Sequence, residues 1–232
     1  VTGALVDEQY GGPAEVPQQA KAHGIKLAMP VEKSGQKEFD FEYGDHIERY
    51  DPDFSKLLVR YNPDGDTEMN KRQAERLRAL SDWLHANDRR LLFELLVPAE
   101  EDQLASVDGD AERYDAELRP ELMVRAIREL QDAGIESDVW KIEGVDERAD
   151  AERIAAQRRA GGRDGIPCVV LGRGADNDRV DDWLRAGAPV DGYVGFAIGR
   201  SIWGDPLKGW IEGALSREDF ECEQGANVGW SG

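Results

Sequence analysis

Asp138-Val-Trp-Lys-Ile-Glu-Gly144 is a run of β-branched and aromatic residues between polar ends, the composition of a short strand. Lys141 and Glu143 stand inside it two positions apart, so they face the same side. A lysine in the middle of a buried strand is costly unless it is paired or used in chemistry. Two readings are open. In one, the segment is an edge strand carrying two solvated charges. In the other, Lys141 is an amine nucleophile on a barrel strand. The chain on either side decides between them.

Working outward, apolar runs alternate with helical patterns. Strands are expected at Gly3–Gly11, Lys26–Val31, Ser55–Tyr61, Arg90–Val97, Asp138–Gly144, Ile166–Leu171 and Gly192–Ile198. Between them come helices over Pro17–His23, Asp66–Asn87, Pro120–Gly134, Arg148–Ala160 and Asn177–Ala186, and a closing helix over Pro206–Leu215. Gln36–Asp53 reads as a loop with a short helix near His46, and Ala99–Asp115 as a polar insertion. The residues after Glu218 show no clear pattern. Strict strand–helix alternation implies a parallel sheet with right-handed crossovers. No Gly-x-Gly-x-x-Gly follows the first strand, which argues against a dinucleotide-binding sheet. The expectation is one α/β domain over residues 1–232, a TIM (β/α)8 barrel. Because the chain opens inside a strand at Val1, a first βα unit is expected ahead of it.

Composition narrows the function. With 48 acidic against 29 basic residues the formal charge is -19, so neither nucleic acid nor an anionic membrane is an expected partner. The excess of arginine over lysine fits either high internal salt or a GC-rich genome. Cys168 and Cys222 do not make a disulfide framework, which suggests a reducing cytosol. No apolar run approaches the roughly 18 residues of a membrane span, and no signal peptide is seen. His23, His46 and His85 are scattered, so a zinc site is not expected, while a carboxylate-held magnesium stays open.

In such a barrel the chemistry sits at the C-terminal ends of the strands. Ionisable and polar residues recur there: Asp7, Glu8 and Gln9; Glu32 and Lys33; Arg60 and Asn62; Glu94; Lys141 and Glu143; Arg173; Arg200. Glu94 lies within Leu91-Leu-Phe-Glu-Leu-Leu-Val97, so it needs a polar partner or a raised pKa, and Lys141 on the next strand is the obvious one. A neutral lysine and a proton-carrying glutamate suit imine chemistry. Arg60 is expected to help by disfavouring the charged lysine. Leu171-Gly-Arg-Gly174 and Ile198-Gly-Arg-Ser201 close the last two strands, where this fold usually holds phosphate. There Gly172, Gly174 and Gly199 would offer backbone N–H groups, and Arg173 and Arg200 bidentate forks.

Leu91–Pro98, Arg119-Pro-Glu-Leu122, Asp138–Gly144, Val170–Asp176 and Gly195–Arg200 together resemble the C-terminal domain of the bacterial inositol-catabolism protein that carries a sugar kinase at its N-terminus. That domain is associated with 2-deoxy-5-keto-gluconate 6-phosphate aldolase activity. More distantly the chain is similar to class I tagatose-1,6-bisphosphate and sulfofructose-phosphate aldolases. The resemblance runs from Ala4 to about Leu215 and implies a metal-independent, cofactor-free aldolase acting on a phosphorylated sugar. It implies Lys141 as the Schiff-base lysine, Glu94 as proton shuttle and Arg200 as phosphate ligand beside Gly172 and Gly174. Lys56 aligns with an aldolase lysine, yet its position early in the third strand is expected to put it far from the barrel mouth. The kinase half is absent, the tail does not look like the family's closing helix, and homo-oligomerisation stays open. The rival expectations are another Schiff-base aldolase or isomerase and a non-catalytic sugar-phosphate sensor.

Overall fold

Among the described residues seven parallel strands form where the apolar runs lie: β1 Gly3–Leu5, β2 Lys26–Pro30, β3 Phe54–Arg60, β4 Leu91–Leu96, β5 Val139–Glu143, β6 Cys168–Leu171 and β7 Tyr193–Ala197. The computed structural model describes residues 2–7, 15–32, 35–40, 45–175 and 177–228. Glu8, Gln9 and Lys33 lie outside the described residues, and so does the side chain of Arg200. The strands follow one another in the sheet in chain order, β1 to β7, without reversal. Right-handed crossovers in an order that never reverses lay the connecting helices on one face. The sheet curls with its other face inward, as part of a barrel. Among the described residues β1 and β7 are the two edges of the sheet and do not pair with each other.

Ten helices are described, α1 Glu15–Ala22, α2 Asp45–Tyr50, α3 Thr67–Ala86, α4 Glu101–Ser106, α5 Ala111–Arg113, α6 Arg119–Asp132, α7 Arg148–Arg159, α8 Asn177–Gly187, α9 Arg200–Ile211 and α10 Arg217–Val228, with a π-helical turn at Tyr114–Leu118. The long helix α3 starts where Asp66 accepts a hydrogen bond from the Met69 amide, and it buries Leu77, Leu80 and Leu84 at helical spacing. In α6, Pro120 sits in the first turn, where no amide is needed, and Leu122, Met123, Ala126, Ile127 and Leu130 face the core. Gly134 ends the turn beyond it at a φ of 83°, a conformation that favours glycine.

Three expectations change. The stretch expected to be a polar insertion is instead helical for much of its length, as α4, α5 and the π turn. The closing helix starts at Arg200, not at Pro206, and carries Pro206 in its interior. The patternless tail is helix α10, which begins at a reciprocal pair: Ser216 Oγ accepts from the Asp219 amide and the Asp219 carboxylate accepts from the Ser216 amide.

Alternation along the strands separates the two faces of the sheet. Leu57, Val59, Phe93, Leu95, Trp140 and Ile142 turn to the helices and are buried. Phe93 and Trp140 are register partners, with ring centroids 4.7 Å apart. The intervening residues, Lys56, Leu58, Glu94, Leu96, Lys141 and Glu143 among them, share the inner face. The core is therefore densest behind β3, β4 and β5, the strands that carry those charges. No described helix is long and apolar enough to cross a membrane.

Gly144 ends β5 in a place where a side chain cannot fit. A Cβ there would stand 2.3 Å from the Trp183 ring of α8. Gly144→Ala should destabilise the protein by about 1–3 kcal/mol through overpacking, read as a lower urea midpoint. Gly165→Ala, where an added Cβ meets nothing within 4 Å, should leave the midpoint close to wild type. Equal midpoints for the two variants would contradict this packing.

Candidate active site

Four ionisable side chains from four consecutive segments of the sheet meet on its inner face. Glu94 and Lys141 are register partners on β4 and β5, and Glu94 Oε1 lies 3.0 Å from Lys141 Nζ. Glu94 Oε2 lies 3.0 Å from Lys56 Nζ of β3, and the same Nζ lies 2.8 Å from Glu32 Oε1, just past β2. The result is an unbroken series Glu32–Lys56–Glu94–Lys141. All four side chains are at most 10% exposed, so water screens these charges little.

Lys56 was expected far from the mouth, and it is not. Its backbone is the partner of Leu92, two residues below the level of Glu94. Two residues of strand rise about 6.6 Å, and a four-carbon lysine stem climbs that distance. Arg60 was expected to act on Lys141; instead its Nη1 donates to the Gln36 carbonyl at 2.7 Å. The cation beside Lys141's partner is therefore Lys56, not Arg60. Period-2 reasoning placed the Cα atoms correctly but ignored the length of the side chain.

The four groups are polarised in alternating directions. Burial pushes the Lys141 ammonium below the ordinary lysine pKa, and the charge of Lys56 pushes the same way, against Glu94 and Glu32. Burial disfavours the charge of Lys56 too, but Glu32 and Glu94 outweigh it and raise its pKa. Burial likewise opposes the charge of Glu94, and the two lysines overcome it, holding its carboxyl below the usual range. For Glu32 burial wins over the Lys56 ammonium and its pKa is raised. Glu32 Oε2 is buried without a hydrogen-bond partner among the described residues. The arrangement thus favours a charged Lys56–Glu94 pair between two groups that tend toward neutrality.

Glu143 takes a separate part. Its Oε2 accepts from the Val97 amide at 2.8 Å, and its Oε1 lies 3.2 Å from Arg173 Nε. It ties the end of β4 to the loop after β6. Arg173 also donates to both oxygens of Asp115 at 2.7 Å, and the fully buried Arg119 donates to Asp115 and to the Gly144 carbonyl. The Tyr114 hydroxyl donates to the Val97 carbonyl at 2.9 Å. The π-helical turn that bears Tyr114 and Asp115 is therefore bolted to the strand ends. Arg119, Asp115 and Tyr114 were not expected at the site, and only the Arg-Pro start of a helix marked their neighbourhood.

Arg173, expected as a phosphate ligand, is occupied by two carboxylates. It adopts a φ of 52°, and Gly174 follows at 76°, in a turn closed by the Ala175 amide on the Gly172 carbonyl. Gly172 lies against Ile198, and an added Cβ would be 3.0 Å from that side chain, so the ends of β6 and β7 come close there. Gly199 is the residue before α9, and Arg200 opens that helix. The cavity bounded by Val170, Leu184, Tyr193 and Phe196 lies between β7 and α8 and includes none of the four charged residues. Among the described residues no three His, Cys, Asp or Glu side chains group as metal ligands.

Residues 1–224 match the model of a family described as "Uncharacterized protein conserved in bacteria (DUF2090)". A comparison with curated proteins finds no sequence match. Among solved structures the chain is similar to a Schiff-base-forming fructose-1,6-bisphosphate aldolase, at 14% identity over 86% of this chain and 71% of the other, with a TM-score of 0.57. It is similar to an archaeal fructose-1,6-bisphosphate aldolase at 13% identity over 87% and 71%, TM-score 0.58. It is similar to a Corynebacterium glutamicum protein at 17% identity over 92% and 68%, TM-score 0.59. At such identities these likenesses show the fold, the barrel of aldolase-like proteins.

Removing Glu94 tests the charge series directly. Glu94→Leu leaves two buried ammonium groups facing each other and should cost about 3–5 kcal/mol at pH 7, measured by urea unfolding. Because the folded pKa of Glu94 is lowered, its contribution is complete above the ordinary carboxylate value of about 4 and is lost as pH falls through the lower folded value. A cost near zero at pH 7 would mean that the lysines do not depend on it.

Proposed function

This chain belongs to the bacterial DUF2090 family, and from its inner-face charge series we propose that it is a class I aldolase that cleaves a phosphorylated ketose or keto-sugar acid. The observation that carries the proposal is Lys141: buried, on the inner face of a barrel-type sheet, 3.0 Å from a carboxylate and with its pKa lowered. A Schiff-base nucleophile needs a neutral amine with a proton carrier beside it. In this reading Lys141 attacks the ketone and Glu94 moves protons through carbinolamine and iminium. The iminium then draws the electrons of the breaking carbon–carbon bond, leaving an enamine that Glu94 or water reprotonates. Lys56 keeps Glu94 ionised and holds down the charge on Lys141.

For the phosphate we propose the turn Gly172–Gly174 and the start of α9 at Gly199 and Arg200. Backbone amides at a helix start favour an anion. Arg173 braces this turn through Asp115 and Glu143, and we assign Arg60 to substrate binding. The resemblance to the inositol-type domain suggests 2-deoxy-5-keto-gluconate 6-phosphate as substrate, with dihydroxyacetone phosphate and malonate semialdehyde as products.

Borohydride reduction in the presence of dihydroxyacetone phosphate tests the assignment. The expected outcome is a covalent adduct mapped by peptide mass to Lys141, absent in Lys141→Met, and ketose cleavage that survives a chelator. A reduced adduct at another lysine, or binding of the probe without any adduct, would sink it.

A further inference from the structure

The series of four charges is balanced only while as many of its lysines as of its glutamates are ionised. Lys56 and Lys141 then offset Glu32 and Glu94. If Lys141 alone loses its proton, the buried cluster keeps one excess negative charge, which is costly where water is excluded. One of the carboxylates must take that proton. Glu94 is badly placed to keep it, because each of its oxygens holds an ammonium at 3.0 Å. Glu32 is well placed. One of its oxygens is bonded to Lys56 at 2.8 Å, while Oε2 is buried without a hydrogen-bond partner among the described residues. A proton there leaves both ion pairs of Glu94 in place and relieves the desolvation of a buried carboxylate, against the pull of Lys56 and of the Glu32 backbone amide.

We propose that Glu32 is the proton store of this site: it accepts the proton that Lys141 sheds before attacking a carbonyl and returns it when water departs. The proposal rests on Lys141 acting as the imine-forming lysine. The path is the observed series. Lys56 first gives a proton to Glu32; Glu94 then takes the proton that Lys141 sheds and hands it to the amine so vacated on Lys56, with each hop along a contact of 2.8–3.0 Å. The free amine then forms the nitrogen–carbon bond, and its own N–H proton goes to the carbonyl oxygen, giving the carbinolamine. The carbon–oxygen bond breaks next. The hydroxyl leaves as water with the proton released by Glu32, and the iminium remains. The cluster is neutral before and after, and no proton enters or leaves through solvent. The raised pKa of Glu32 and the lowered pKa of Lys141 agree with this direction of transfer. The groups acting on Glu32 are Lys56 from β3, Glu94 from β4 and, across the series, Lys141 from β5.

An internal transfer has a distinctive consequence. The resting and reactive forms bind the same number of protons, so their ratio does not depend on pH. The test uses the whole chain with dihydroxyacetone phosphate as probe. The rate of adduct formation at Lys141 is followed by timed borohydride quenching from about pH 6 to about pH 9. Wild type should be flat to within about twofold. Glu32→Gln keeps the shape of the side chain but cannot store the proton, so its rate should rise by up to about tenfold per pH unit until Lys141 is neutral. Glu32→Asp, which keeps a carboxyl group, should restore the flat profile. A wild-type rate that itself climbs about tenfold per unit, or a Glu32→Gln profile parallel to wild type, overturns the proposal. A wild type that forms no adduct at Lys141 sinks the aldolase reading instead, and the two failures are thereby told apart.

Discussion

One carboxylate held between two ammonium groups organises the centre of this protein. Glu94 reaches Lys56 on one side and Lys141 on the other, across three neighbouring strands. None of these groups could be buried alone. Each is tolerated because parallel pairing sets Glu94 level with Lys141, and because the lysine stem of the third strand spans two residues of rise. The apolar half of the same strands, Phe93, Leu95, Trp140 and Ile142 among it, packs against the helices and keeps the strands in that register. A slip by one residue would turn the charges into the core and the rings into the barrel. Register and chemistry are thus one constraint.

A buried ion network is a poor way to stabilise a fold, since well-packed hydrophobic residues would do as well or better. Its presence on the inner face therefore points to use. The neighbouring network of Glu143, Arg173, Asp115 and Arg119 serves a different purpose. Its members bond to backbone groups as well as to one another, with Arg119 Nη1 alone of its nitrogens buried without a partner among the described residues, and together they clamp the π-helical turn to the ends of β4, β5 and β6. The four-charge series and the clamp lie on adjacent levels of the same strand, with Lys141 in one and Glu143 in the other.

Much of the fold was legible in the sequence because its signals were local. The apolar strands, the Asp66 cap and leucine stripe of α3, and the Pro120 start with Gly134 stop around α6 all carry their own patterns. The helices that escaped notice, α4 and α5, bury no residues, so they show no apolar stripe to read. Helix α10 carried a legible sign, the Ser216–Asp219 pair, beneath a polar composition that hid it. At the site, Lys141 and Glu94 stood out as charges inside apolar strands. Lys56 stood out less, because its place along the strand was read from its backbone rather than from the tip of its side chain. Glu32 follows Val31 at the end of a strand, where a glutamate is unremarkable. Only the unpartnered oxygen distinguishes it.

The central claim is that this arrangement makes Lys141 a weak base. The most direct measurement is a pH titration of the lysine ε-carbon resonances in isotope-labelled protein, with Lys141 assigned by the Lys141→Met variant and Lys56 by Lys56→Met. The account predicts that Lys141 titrates below the ordinary lysine value of about 10.4, while Lys56 remains charged beyond it. A Lys141 resonance that titrates at or above the ordinary value would contradict the account.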